Sequence, residues 1–122
     1  MDVLIAEFGK KGILVLLDLH SFRPDTFSSD GLWYSSTYNE ATVIQMWTKL
    51  IQRYKDTWNV FAIDVKNEPF SSTWNTGNLA TDFNKAAERI GEVIIKDTNW
   101  LVFIQGITCQ SGCFWGENLQ GV

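Results

Sequence analysis

Three short runs constrain this chain most: Ile13-Leu14-Val15-Leu16-Leu17, Val60-Phe61-Ala62-Ile63-Asp64-Val65-Lys66 and Trp100-Leu101-Val102-Phe103-Ile104. Their nearly continuous apolar character, without the alternation of a half-solvated strand, reads as parallel strands buried on both faces. Helical patterns separate them. Leu4, Ile5 and Phe8 end an amphipathic helix that Gly12 closes. Asn39 is the N-cap of a second helix, whose Val43, Met46, Trp47, Leu50, Ile51 and Tyr54 recur at three- and four-residue spacing. Phe83, Ala86, Ala87, Ile90 and Ile94 share one face of a third. Strand, helix, strand, helix, strand is the pattern of an α/β protein with parallel pairing, and it leaves open both a closed barrel and a doubly wound sheet. No repeat, low-complexity stretch or linker divides the chain.

Composition narrows the function. The net charge of −4 and the lack of a basic cluster argue against a nucleic-acid surface. No stretch approaches the roughly 18 uncharged apolar residues of a membrane span, and residues 1–7 lack the basic start and apolar core of a signal peptide. There is no glycine-rich phosphate loop after a strand and no Gly-x-Ser-x-Gly elbow, which disfavours nucleotide-dependent and esterase-like alternatives. One histidine and two cysteines without paired ligand motifs make a poor zinc set, so neither a metal nor another cofactor is expected. Cys109 and Cys113 are near enough in sequence for a disulfide, which proximity alone does not establish.

The chemistry-bearing residues gather where the runs end. Asn67-Glu68-Pro69 follows the second run, and a carboxylic acid at the C-terminal tip of a buried parallel strand is placed for proton transfer, although the same tripeptide serves as ordinary turn chemistry. The first run ends Asp18-Leu19-His20, bringing the chain's only histidine to a neighbouring tip. Trp33, Tyr34, Trp74, Phe114 and Trp115 lie in the loops beyond the tips. Flat aromatic rings among hydrogen-bonding groups suit the apolar C–H faces of sugars.

The ordered set Asp18-Leu19-His20, Arg23-Pro24-Asp25, Gly31-Leu32-Trp33-Tyr34-Ser35-Ser36, Asp64-Val65-Lys66-Asn67-Glu68-Pro69 and Phe114-Trp115-Gly116-Glu117-Asn118-Leu119 resembles glycoside hydrolase family 5, most of all its bacterial-type endo-β-1,4-glucanases. The resemblance spans nearly the whole chain. It implies a retaining (β/α)8 enzyme acting on β-linked polysaccharide such as cellulose or β-glucan. A complete barrel takes about 250 residues, so residues 1–122 are expected to be a fragment of the catalytic domain, covering about strands three to five of a TIM barrel with their intervening helices. Glu68 is then the proton donor and acid/base, with Asn67, His20, Trp33 and Trp115 binding substrate. The family's nucleophilic glutamate has no counterpart: Glu7, Glu40, Glu88 and Glu92 fall on helices, and Glu117 stands where relatives commonly have glycine. The chain alone is expected to be inactive, an extracellular parent is implied, and a catalytically incomplete carbohydrate-binding fragment is the alternative reading.

Overall fold

The computed structural model describes residues 1–24, 31–107 and 119. Its elements run α1 (Asp2–Lys10), β1 (Val15–Asp18), α2 (Glu40–Tyr54), β2 (Val60–Asp64), α3 (Phe83–Asp97) and β3 (Leu101–Phe103). All strands are parallel, in the order β1-β2-β3, each entering beside its predecessor after a helical crossover. This is the pattern expected from the alternation of apolar runs and amphipathic helices.

The first strand starts later than its apolar run. Gly12, at φ 71, turns the chain out of α1, and the Ile13 amide donates back to the Phe8 carbonyl at 2.9 Å, so Ile13 and Leu14 belong to the turn and are exposed. The buried Asn59 stitches this corner together, donating from Nδ2 to the carbonyls of Ile5 (2.9 Å) and Ile13 (3.2 Å). A donor buried here without those carbonyls would be destabilising. Helix α2 starts where its cap predicts: the Asn39 side chain accepts the Thr42 amide at 2.9 Å. Ion pairing and a tyrosine hydroxyl tie the ends of two helices together, since Asp2 of α1 accepts from Arg53 and Tyr54 at the end of α2.

The core lies between the sheet and helices α2 and α3. Val43, Trp47 and Ile51 of α2 and Phe83, Ala86, Ile90 and Ile94 of α3 are buried with Val60, Ala62, Ile63 and Val65 of the central strand and its extension. Burial on both faces, expected of all three strands, holds for β2. On the flanking strands Leu16, Leu101 and Phe103 are exposed, because β1 and β3 form the two edges of the sheet among the described residues. The C-terminal ends of all three strands lie side by side, with Asp18 opposite Asp64 and Asp64 opposite Phe103.

Candidate active site

Past the last ladder residues, the first two strands stay in register for one further step. Leu19 donates its amide to the Asp64 carbonyl at 3.3 Å, and Asn67 donates its own to the Leu19 carbonyl at 3.1 Å. The tips carrying His20 and Asn67-Glu68 are therefore neighbours, as their sequence positions suggested. His20 is exposed, and its Nδ1 lies 2.9 Å from Asp18 Oδ2. A carboxylate only accepts, so Nδ1 is the ring nitrogen that donates to Asp18.

Lys66 braces the junction. Its side chain is buried, and its ammonium donates to the His20 carbonyl at 3.0 Å and to the Asn67 carbonyl at 2.6 Å, binding the two tips to one cation. Glu68 follows with an exposed side chain and φ 47, in the left-handed region. Non-glycine residues held there cost about 1–3 kcal/mol and persist only where their surroundings enforce the geometry. Part of that enforcement comes from its flanks: the Phe70 amide donates to the Glu68 carbonyl at 2.8 Å, and Pro69 is buried.

The third tip contributes a residue that sequence reasoning missed. Gln105 donates from Nε2 to Asp64 Oδ2 at 2.6 Å and to Asn67 Oδ1 at 3.4 Å, while its Oε1 accepts the Glu68 amide at 3.1 Å. The signal available was positional, a polar side chain directly after the third apolar run. Asp64 completes the group. Burial pushes its carboxyl above the ordinary aspartate range, the Gln105 hydrogen bond works in the opposite direction, and the Asp18 charge raises it further.

The structure corrects the expectation for Trp33. Its indole is fully buried, edge-on to Tyr34 at 5.2 Å and tilted against Phe83 at 6.0 Å, so it offers no face to a sugar ring. The physical reason is its donor: Nε1–H reaches Glu40 Oε2 at 2.7 Å, which satisfies the one polar atom of a large apolar ring. Arg89 pairs with the same carboxylate through Nε and Nη2, both at 2.7 Å, and holds the Glu40 carboxyl below its ordinary range despite the opposing effect of burial. The loop containing Trp33 also docks directly on the loop after β2. At Gly31 an added Cβ would fall 2.1 Å from Ser71 Oγ and 2.7 Å from its amide nitrogen, so only glycine allows this approach. Trp115, Cys109, Cys113 and Glu117 lie outside the described residues. Glu7, Glu40, Glu88 and Glu92 are on helices, as the sequence indicated.

In the loop after β2, Asp82 at the start of α3 organises the segment from Thr73. Its buried carboxylate accepts from Thr73 Oγ1 (2.7 Å), Thr76 N (3.0 Å), Thr76 Oγ1 (2.7 Å) and Gly77 N (2.8 Å). Burial pushes this carboxyl up, but the four donors prevail and bring it down to about 2. A folded-state value below the unfolded one adds stability above about pH 4, which is lost as the pH falls towards 2. Asp82→Asn, which turns acceptor lone pairs into donors facing other donors, should lower Tm at neutral pH. Thermal melts of the two proteins should draw together between pH 4 and 2; a gap that stays constant through that window would contradict the assignment.

Among the described residues no group of three or more His, Cys, Asp or Glu side chains could hold a metal ion, and no helix is long and apolar enough to cross a membrane. Comparison with known proteins adds an independent line. A family model described as cellulase (glycosyl hydrolase family 5) matches residues 1–122. The major extracellular endoglucanase of Xanthomonas campestris pv. campestris is 44% identical over 98% of this chain and 26% of its own length. Its solved catalytic domain aligns with a TM-score of 0.85 at 42% identity, covering 98% of this chain and 36% of that one. An endoglucanase of Paenibacillus polymyxa is 40% identical over 100% of the chain and 32% of its own length. A variant of the endocellulase from Pyrococcus horikoshii, solved in complex with cellotetraose, aligns with a TM-score of 0.85 at 35% identity, over 98% of this chain and 38% of that one. The chain thus spans about a quarter to a third of the length of these curated relatives.

Proposed function

Because the chain belongs to the cellulase family, glycosyl hydrolase family 5, we propose that it forms the acid/base side of the active site of a retaining glycosidase that cleaves β-1,4-linked glucan. Its three parallel strands with their helices are part of a (β/α)8 barrel, about strands three to five. Catalytic groups in such barrels come from the C-terminal strand ends, the rim on which Glu68, Asn67 and His20 lie. The observation that carries the reading is the position of Glu68: an exposed carboxyl on a tip braced by Lys66 and Gln105.

In this mechanism Glu68 enters protonated and gives its proton to the departing glycosidic oxygen while a second carboxylate, about 5–5.5 Å away, attacks the anomeric carbon. That nucleophile comes from a part of the catalytic domain beyond these residues. Once the glycosyl intermediate has formed, Glu68 is ionised and accepts a proton from the water that hydrolyses it. Two carboxyls this close disfavour a second negative charge until the first is consumed in the glycosyl intermediate, which is how one member of such a pair serves as acid and then base. Asn67 and His20 hold sugar hydroxyls beside the cleavage point, Trp115 offers an aromatic face, and no cofactor takes part. The name of the Xanthomonas relative supports a secreted parent, and the cellotetraose complex of the Pyrococcus relative supports a β-glucan ligand.

Proton NMR of the first-formed product tests this. The complete catalytic domain should release sugar with the β-configuration of the glucan bond, whereas the 122-residue chain alone should release no reducing sugar, since it lacks the nucleophile. Initial α-product from the complete domain, or turnover by the isolated chain, would overturn the reading.

A further inference from the structure

Glu68 carries the proposed proton transfers from a left-handed backbone conformation, and its amide donates to a side chain 37 residues away. That acceptor, Gln105 Oε1, belongs to an amide whose other end is committed: Nε2 lies 2.6 Å from Asp64 Oδ2. A carboxylate cannot donate, so Asp64 determines which end of the Gln105 amide faces it and leaves the oxygen for Glu68 N–H. The same Nε2 lies 3.4 Å from Asn67 Oδ1. Asp64 is itself held by the Lys66 amide at 3.3 Å and sits at the end of the central strand, the best-buried of the three. One side chain from the third tip thus touches both residues of the Asn67-Glu68 pair and anchors them to the end of the best-buried strand.

We propose that Gln105 is a positioning residue for the acid/base step: oriented by Asp64, it fixes the Glu68 backbone and the Asn67 amide so that the Glu68 carboxyl meets the glycosidic oxygen. This rests on the assignment of Glu68 as the acid/base. Displacement of a reacting group by about 1 Å can cost about 10²-fold in rate, so an acceptor that holds a strained backbone affects kcat more than substrate affinity.

The test uses the complete catalytic domain on soluble β-1,4-glucan. Gln105→Ala removes both ends of the link, and kcat should fall about 10- to 100-fold while KM changes by less than about threefold. Gln105→Glu keeps the reach. When the new carboxyl is protonated it donates to Asp64 and accepts from Glu68 N–H, restoring the link. When it ionises, it faces Asp64 as a like charge, with Asp18 and Glu68 adding to the repulsion, Lys66 opposing it, and His20 on the adjacent tip. Activity of Gln105→Glu should therefore approach wild type on the acid side, with an alkaline limb shifted to lower pH by about one unit or more, since a coupled carboxyl pair titrates together. An inactive wild type would remove the glycosidase reading, and this inference with it. An active wild type removes the inference alone if Gln105→Ala turns over within about twofold of it, or if the pH profile of Gln105→Glu parallels the wild type. Should Gln105→Ala fail to fold, the Gln105→Glu profile decides: an acid-shifted limb supports the positioning role, and a parallel profile contradicts it.

Discussion

Glu68→Gln in the complete catalytic domain should lower kcat on unactivated β-1,4-glucan by about 10²–10⁴-fold, the range that a positioned general acid and base contributes. Glutamine keeps the shape and hydrogen-bonding reach of the side chain but can neither donate nor accept the catalytic proton. The backbone at φ 47 and the amide bond to Gln105 are untouched by the substitution, so the loss should appear without a change in Tm. Substrates with an activated leaving group need little help from the acid. Their first step should survive in the variant while hydrolysis of the intermediate, which still lacks its base, becomes rate-limiting and a burst of leaving group precedes slow turnover. Steady-state rates on the two substrate classes, measured side by side, separate a lost proton donor from a damaged fold. Equal losses on both, with a lowered Tm, would identify Glu68 as structural.

The second large effect concerns stability. Trp33→Ala should destabilise the domain by about 3–5 kcal/mol, because it removes a fully buried indole and leaves a cavity against Phe83 and Tyr34. Trp33→Phe fills much of that space but deprives Glu40 of its indole donor, and should fall between the two. Arg89 still pairs with Glu40 in either variant, which limits the damage to the α2–α3 contact. Chemical denaturation gives the stability loss, and KM for soluble glucan should stay near wild type in whichever variant remains folded. A raised KM with unchanged stability would return Trp33 to the substrate-binding role that its loop position suggests.

Much of this architecture was legible because it depends on short-range patterning. Three- and four-residue spacing placed the buried faces of α2 and α3, Asn39 marked the start of α2, and the apolar runs located all three strands. Strand limits were harder to read. Ile13 and Leu14 are as apolar as the residues that follow, yet the turn at Gly12 and the bond from Ile13 to Phe8 place them outside β1. The strand-tip rule also located Glu68, Asn67 and His20, since a tip position needs only the end of an apolar run. Gln105 escaped notice because its role is a side-chain contact across 37 to 41 residues, with Glu68 at one end and Asp64 at the other. The Trp33 error has the same origin: a tryptophan in a loop presents the same letter whether its ring faces a cleft or a core. Here a glutamate seven residues on, in the first turn of α2, takes its N–H and turns it inward.

The assignment of Glu68 to acid/base catalysis in a retaining mechanism is tested most directly by the product that Glu68→Gln forms from an aryl β-cellobioside in the presence of azide. Azide is a nucleophile that needs no general base, and with the carboxylate removed it can approach the glycosyl intermediate from the face that Glu68 guards. With Glu68 as the acid/base of a retaining mechanism, azide should accelerate turnover of the variant, have little effect on wild type, and yield β-cellobiosyl azide, identifiable by NMR. Turnover unaffected by azide, or an α-configured adduct, would contradict it.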